Sequence, residues 1–229
     1  ERTVIVGPNG CGKTTLLTAI RDSAPGVTLS PGVTVGWFGQ ETAGTLDLSK
    51  TLLHNVLEGS LLPAHDARTL LSRMGLKAGD MDKPAGVLSG GERVKAALAR
   101  LMAGGFTLLL LDEPGNHLDI PALFALEEML SVYEGTLLLV THDRRMIDRV
   151  AQRLLLFENG TLESFDGNLS EWEAFRAKKP DTAALDEEIL RMRMAALLAR
   201  MGAPKKGDRR EVLEEEYEAL CAQLKSLRK

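Results

Sequence analysis

The chain has 229 residues, 44% of them hydrophobic and 26% charged, and this composition excludes an intrinsically disordered protein. Its formal net charge of −4 argues against nucleic-acid binding through bulk positive charge, without excluding a local basic patch. The two cysteines, Cys11 and Cys221, lack metal-ligand spacing, so we expect a reduced, cytoplasmic protein. No apolar run reaches the roughly 18 residues that span a bilayer, so we expect no membrane insertion.

In the first half of the chain, short apolar runs alternate with segments whose apolar residues recur at helical spacing. Residues 2–6, "RTVIV", predict a strand, and a glycine-rich loop then leads into a helix from residue 13. Residues 32–40 predict another strand, and 50–76 predict mostly helix with a break near Pro63. The segment "SGGERVKAALARLMAGG" (89–105) has apolar residues on one side and predicts an amphipathic helix.

Two further apolar runs, 106–113 and 135–143, show too little alternation for a sheet with one face in water. Both therefore predict buried parallel strands, joined by a helix over 120–133 in the right-handed crossover arrangement. Residues 153–167 predict a hairpin that turns at Asn159 and Gly160. The expected fold class is thus α/β with a mostly parallel sheet.

After "AKKP" the composition changes and two long helical patterns follow. Both have apolar residues at steps of three and four, which predicts an antiparallel hairpin of two helices over 181–229. The expected seam consists of Leu185, Ile189, Met192, Ala196 and Ala199 on one helix and Leu213, Tyr217, Leu220, Leu224 and Leu227 on the other. The hairpin tip, "PKKGDRR" (204–210), is basic and is either a solvated turn or a weak contact for RNA phosphates.

The loop after the first strand, "GPNGCGKT", fits the pattern G-x-x-x-x-G-K-[ST] between a predicted strand and a predicted helix. Its glycines allow backbone N–H groups to surround phosphate oxygens at a helix N-terminus. We expect Lys13 to reach the β- and γ-phosphates and the Thr14 hydroxyl to bind Mg²⁺. The predicted nucleotide-binding residues here are Gly7, Pro8, Asn9, Gly10, Cys11, Gly12, Lys13, Thr14 and Thr15.

Two adjacent acids, Asp112 and Glu113, follow the buried strand in "LLLLDEPGNHLD". At the end of a strand beside the phosphate loop, Asp112 would hold Mg²⁺. Glu113, one residue further on, would polarise the attacking water. These residues predict an ATPase that uses ATP and Mg²⁺.

The segment "LSGGE" (88–92) opens a helix with a serine and two glycines, which is an anion-binding arrangement. Together with the phosphate loop and the acidic strand end it resembles the ABC ATPase family, in which it is the signature motif. Ser89, Gly90, Gly91 and Glu92 are the predicted signature residues.

The resemblance implies further site residues. Gln40 matches the Q-loop glutamine, which would sense the γ-phosphate and Mg²⁺. His142 in "VTHD" matches the switch histidine, which would contact the γ-phosphate and help position Glu113 and the water. Asp119 ends the D-loop "NHLD" and is expected at the nucleotide site. Because the family binds nucleotide between the phosphate loop of one cassette and the signature of another, the resemblance also implies a partner cassette, either a second copy of this chain or another segment of a longer protein.

Within the family, "DEPGNHLD" resembles "DEPTNHLD" of the ABC-F branch, soluble twin-cassette proteins of which many act on ribosomes. Gly115 replaces the usual threonine and would loosen the turn after Glu113. Only six residues precede Gly7, which suggests the C-terminal cassette of a longer protein that lacks here the aromatic residue on which the family stacks adenine. Trp37 is either a substitute for that aromatic residue or a core residue of its strand.

The resemblance therefore implies a P-loop ABC ATPase domain over 1–176, with a helical subdomain at about 41–100 and the C-terminal hairpin at 181–229. The expected function is ATP-driven closure coupled to action on the ribosome and its rRNA, as a translation factor or an antibiotic-resistance protein. The alternatives are a nucleotide-binding subunit of an ABC transporter, a non-catalytic module clamped by ATP, and DNA binding through the hairpin.

Overall fold

The computed structural model of the chain describes residues 1–39, 46–158, 160–178, 182–202 and 210–227. By its internal contacts the chain divides into two units, Glu1–Trp172 and Glu173–Lys229. The first unit contains a six-stranded sheet, and the second contains a pair of helices. None of the described helices combines the length and the apolar character needed to cross a bilayer.

The sheet is parallel except at one edge. Its strands are β1 (Arg2–Val6), β2 (Val35–Phe38), β3 (Leu108–Asp112), β4 (Thr136–Val140), β5 (Arg153–Glu158) and β6 (Thr161–Asp166). Their spatial order is β2-β3-β4-β1-β5-β6, and only β6 runs antiparallel to its neighbour. This arrangement confirms the predicted α/β fold with a mostly parallel sheet.

Helices connect the strands of the first unit and make up the second unit. They are α1 (Lys13–Arg21), α2 (Leu52–Leu57), α3 (Ala64–Arg73), α4 (Gly90–Ala103), α5 (Ile120–Ser131), α6 (Arg144–Val150), α7 (Leu169–Lys178), α8 (Thr182–Gly202) and α9 (Arg210–Leu227). The sequence patterns did not predict α6 and α7, although Asp143 caps α6 by accepting hydrogen bonds from Arg145 N and Met146 N.

Both faces of the sheet are buried at β3, which explains why that strand is an unbroken apolar run up to Asp112. In β3, Leu109 and Leu111 pack into the large core beneath α4 and α5. Leu108 and Leu110 point to the other face and pack with Ile5 and Leu17 of α1. Because all five residues of β3 are buried, the carboxylate of Asp112 emerges at the strand end from an apolar layer.

In the second unit α8 and α9 contact each other, but the expected seam is wrong on α8. Ile189 and Met192 are 38% and 62% exposed, whereas Leu190 and Leu197 are each 8% exposed. On α9, Leu213 is buried and Tyr217, Leu220 and Leu224 are half-buried, as predicted, while the side chains of Leu185 and Leu227 lie outside the described residues. The reason is that α8 carries two opposite apolar stripes, so its periodicity alone did not decide which stripe packs against α9.

Candidate functional site

The phosphate-loop sequence lies between β1 and α1, at the carboxyl end of a central strand. Gly10 has φ +79° and Gly12, the N-cap residue of α1, has φ +103°. A residue with a side chain rarely adopts either conformation, so these two glycines permit the loop to bend back over the start of α1. The free N–H groups of the first helical turn consequently lie at this loop.

Lys13 is buried in the loop and its ammonium group is held by backbone. The Nζ atom donates hydrogen bonds of 2.8 Å to the carbonyl oxygens of both Gly7 and Pro8. A cation is thereby kept inside a ring of loop atoms, where it could meet phosphate oxygens.

Thr14 and Asp112 come together although they are far apart in sequence. The Thr14 hydroxyl donates a 2.7 Å hydrogen bond to Asp112 Oδ2 at the end of β3. A hydroxyl and a carboxylate are the oxygen ligands that Mg²⁺ accepts in phosphate-binding sites. The pair therefore fits a magnesium ion, which when bound would neutralise charge on the phosphates.

Glu113 and His142 face each other across the same edge of the sheet. His142 Nε2 lies 3.4 Å from Glu113 Oε1, and Glu113 N donates a 2.9 Å hydrogen bond to Val140 O of β4. Glu113 has φ +50°, a strained conformation for a residue with a side chain. Burial raises the pKa of the Glu113 carboxyl above its usual value, and the nearby His142 partly offsets that rise.

These groups border one cavity of about 620 Å³. The predicted residues among its lining are Asn9, Gly10, Gly12, Lys13, Thr14, Thr15, Asp112, Glu113 and His142. Gly7, Pro8 and Cys11 belong to the loop behind it, where a Cβ on Gly7 would come within 2.7 Å of Phe157 Cβ. The structure thus brings the phosphate loop, the acidic strand end and His142 around a single space.

The signature residues lie at the start of α4 and not in the lining of that cavity. Ser89 is the N-cap, and its hydroxyl accepts a 3.3 Å hydrogen bond from Glu92 N while Glu92 Oε2 accepts one of 2.8 Å from Ser89 N. The hydrogen bonds from Ser89 lower the pKa of Glu92. Glu92 is thus engaged in a capping box, and Gly90 and Gly91 follow in the first turn of the helix.

Asp119 connects the D-loop to α4. Its carboxylate caps α5 by accepting a 3.1 Å hydrogen bond from Ala122 N and also accepts a 2.6 Å hydrogen bond from Lys95 Nζ. The Lys95 ammonium group lowers the pKa of Asp119. In this structure Asp119 therefore lies away from the cavity lining, at the junction of two helices.

Some predicted residues fall outside the described part of the chain. Gln40 and residues 203–209 of the basic tip are among them, so their positions stay predictions. Trp37 is described and packs beside Ile5 and Leu17, with the Arg21 guanidinium carbon 4.9 Å from its ring centroid. A Cβ at Gly115 would lie 3.0 Å from Leu123 Cδ1, so the turn has little spare room for the threonine that the resemblance led us to expect.

The sequence patterns missed several residues at the site. Asn116, His117 and Val94 line the cavity, and His117 has φ +72°. Asn116 and His117 belong to the "NHLD" segment, whose motif match was the available signal. No sequence pattern identified Lys95, because its partner Asp119 lies on another element of the fold.

Comparison with known proteins connects the chain to ATP-binding cassettes. A family model described as "ABC transporter" matches residues 1–116. The chain is 40% identical over 174 residues to ABC transporter F family member 5 of Arabidopsis thaliana, covering 73% of this chain and 25% of that protein. It is 34% identical over 201 residues to the energy-dependent translational throttle protein EttA of Escherichia coli K12, covering 84% of this chain and 36% of that protein.

The fold comparison agrees. A dimeric ATP-binding cassette in a post-hydrolysis state, bound to ADP and phosphate, matches with a TM-score of 0.56 and 22% identity, covering 72% of this chain and 85% of that one. At that identity the match supports the fold alone. The chain spans between a quarter and about a third of the length of the two curated relatives named above.

Proposed function

The chain belongs to the ABC ATPase family, and from that premise we propose that it is the ATP-binding and hydrolysing cassette of an ABC-F-type protein that acts on the ribosome. Family membership itself implies ATP hydrolysis. The observation that carries the ATPase part of the proposal is the arrangement of Lys13, Thr14, Asp112, Glu113 and His142 around one cavity. These side chains supply a phosphate-binding cation, two metal ligands, a carboxylate for water and a histidine beside it.

The proposed roles follow from chemistry. The loop from Gly7 to Thr15 binds the phosphates, and Thr14 and Asp112 hold Mg²⁺ with Gln40 as a further ligand. Glu113 orients and polarises water for in-line attack, and His142 positions Glu113 and contacts the γ-phosphate. A raised pKa of Glu113 suits this role, because it makes the carboxylate a stronger base.

A partner cassette completes the proposed site. The signature residues Ser89 to Glu92 do not line the cavity, so in this proposal they and Asp119 serve the nucleotide of a second cassette. ATP would join two cassettes and hydrolysis would separate them. We also propose that the nucleotide-binding domain covers residues 1–176, with its helical subdomain at about 41–100, and that 181–229 form the separate hairpin.

Two similarities support the ABC-F branch and the ribosome. The relatives named above include an F family member, and one is named a translational throttle. The "NHLD" segment matches that branch, and its Asn116 and His117 line the cavity. Action on the ribosome is proposed here by analogy with those proteins.

The test is sedimentation of the gene product that carries this chain, as the Glu113→Gln variant and as wild type, through sucrose gradients with cell lysate. With ATP and Mg²⁺ we expect Glu113→Gln to travel with ribosomes and to leave them when nucleotide is withheld. The matched control is Glu113→Gln combined with Lys13→Met, which should stay unbound because it cannot hold the phosphates. Pelleting with membranes would instead favour a transporter subunit, and no nucleotide-dependent movement would reject the ribosome assignment.

A further inference from the structure

The buried carboxylate of Glu127, on α5, is not used by the proposed chemistry. Its side chain is 0% exposed, and neither oxygen accepts a hydrogen bond from any described residue. Burying a charge is costly unless it is paired and hydrogen-bonded. A methionine of similar size would fill the same space without the free-energy cost of a buried charge. A buried glutamate therefore indicates a role other than packing.

Two arginines of α6 lie beside this carboxylate. Arg145 Nε is 3.4 Å and Arg149 Nη1 is 3.8 Å from Glu127 Oε2. The guanidinium carbon of Arg145 also lies 3.9 Å from the centroid of the Phe124 ring on α5. Both arginine side chains are about half exposed, at 56% and 45%, whereas Glu127 is not. Glu127 is thus the buried end of an ionic link between α5 and α6.

These two helices follow the loops of the candidate site. Helix α5 begins at Ile120, directly after its N-cap Asp119, the last residue of the D-loop, and Asp119 binds Lys95 of α4. Helix α6 begins at Arg144, two residues after His142, with Asp143 as its cap. Since His142 is joined to α6 through a single residue, the position of α6 sets the position of the His142 backbone.

We propose that Glu127 is a positioning residue, which holds α6 against α5 through Arg145 and Arg149 and so keeps His142 in place beside Glu113. The expected effect of Glu127 on turnover rests on the proposed ATPase function. The geometric part concerns the nucleotide-free protein, so it is tested without ATP. The effect depends on charge, because packing alone would be served as well by an apolar side chain.

The experiment compares Glu127→Gln and Glu127→Met with Glu128→Gln, a matched control at the exposed neighbouring residue. The chain has four histidines, so their ring signals in NMR spectra are few, and His142→Asn identifies the signal of His142. We expect both Glu127 variants to shift or broaden the His142 signal while His54 and His65, in α2 and α3, stay unchanged. Thermal unfolding of Glu127→Met should occur at the wild-type temperature or above it, because the buried charge is gone and the arginines can be hydrated.

Turnover supplies the second readout. We expect kcat for ATP to fall roughly tenfold to a hundredfold in both Glu127 variants, the size expected for a misplaced catalytic group, with KM unchanged. An unchanged His142 signal and unchanged kcat would overturn the proposal. So would a parallel loss of stability, kcat and all four histidine signals, since that result describes a structural residue. Turnover is measured on the gene product that carries this chain together with its partner cassette. If that wild-type protein lacked turnover, the proposed function would fail, and the His142 signal would still decide whether Glu127 positions His142.

Discussion

The Thr14 hydroxyl donates a 2.7 Å hydrogen bond to Asp112 Oδ2, joining the start of α1 to the end of β3 across 98 positions of the sequence. Thr14, Asp112 and Lys13 line the same cavity. This relationship makes a joint metal-binding role testable, because each partner can be altered without removing the loop.

Thr14→Val should weaken ATP binding only when Mg²⁺ is present. Valine has nearly the shape of threonine but lacks the hydroxyl ligand, so we expect affinity for ATP with Mg²⁺ to fall by at least about tenfold. Calorimetric titrations with Mg²⁺ and with EDTA measure the difference. Thr14→Ser retains the hydroxyl and should behave like wild type, and an equal loss in EDTA would show that Thr14 acts on the loop and not on the metal.

Glu113→Gln should abolish hydrolysis while leaving ATP binding intact. Loss of a group that polarises water costs about 10² to 10⁴-fold in rate, and the amide is nearly the same size as the carboxylate. Burial raises the pKa of Glu113, so ionisation at neutral pH destabilises the folded state. Without nucleotide and in EDTA, the variant should consequently unfold at the same temperature as wild type or a higher one at pH 7. A lower unfolding temperature, or full turnover, would contradict this account.

Lys13→Met should destabilise the protein even without nucleotide. The variant removes two 2.8 Å hydrogen bonds, to the carbonyl oxygens of half-buried Gly7 and exposed Pro8, and one hydrogen bond contributes about 0.5–1.5 kcal/mol net. Chemical denaturation in the absence of ATP measures this loss. Lys83→Met, at an exposed ion pair with Asp80, is the control and should change the free energy of unfolding by less than about 1 kcal/mol.

The contribution of Asp119 to the stability of the folded protein should depend on pH. Lys95 lowers the pKa of Asp119, so the carboxylate contributes stability above its unfolded-state pKa, and that contribution disappears as the pH falls through the lowered, folded-state pKa. Asp119→Ala removes both the ion pair and the α5 cap and should cost about 1 kcal/mol at pH 7. Asp119→Asn keeps a cap without the charge, so the difference in stability between wild type and Asp119→Asn should shrink in acid. A difference that is constant with pH would show that the ion pair contributes nothing.

Much of the candidate site was predictable because its chemistry is local in sequence. The phosphate loop needs a strand, glycines, a lysine and a helix start in unbroken order, and residues 2–21 contain all of them. Asp112 and Glu113 were recognisable as acids at the end of an apolar run. The cap at Asp119 could be read from its own helix, whereas its bond to Lys95 could not, because no periodicity relates α4 to α5.

The hairpin shows why other features were not predictable. Helix α8 has apolar residues on opposite sides, and the pattern of Ile189 and Met192 is as regular as that of Leu190 and Leu197. Periodicity shows which side chains share a face. Only contact with α9 selects the face that is buried.

The amino-acid sequence by itself determined the α/β class, the phosphate loop and the acidic strand end, since each depends on neighbours within a few residues. The tertiary structure alone decided the strand order and the burial of Glu127 beside the arginines of α6. Sequence motifs had related Thr14 to Asp112 through Mg²⁺ and His142 to Glu113, but only the tertiary structure gives their direct contacts. Those relationships depend on where crossover connections bring separate elements together. That placement is set by packing the two apolar faces of the sheet, a property of the whole domain and not of any segment.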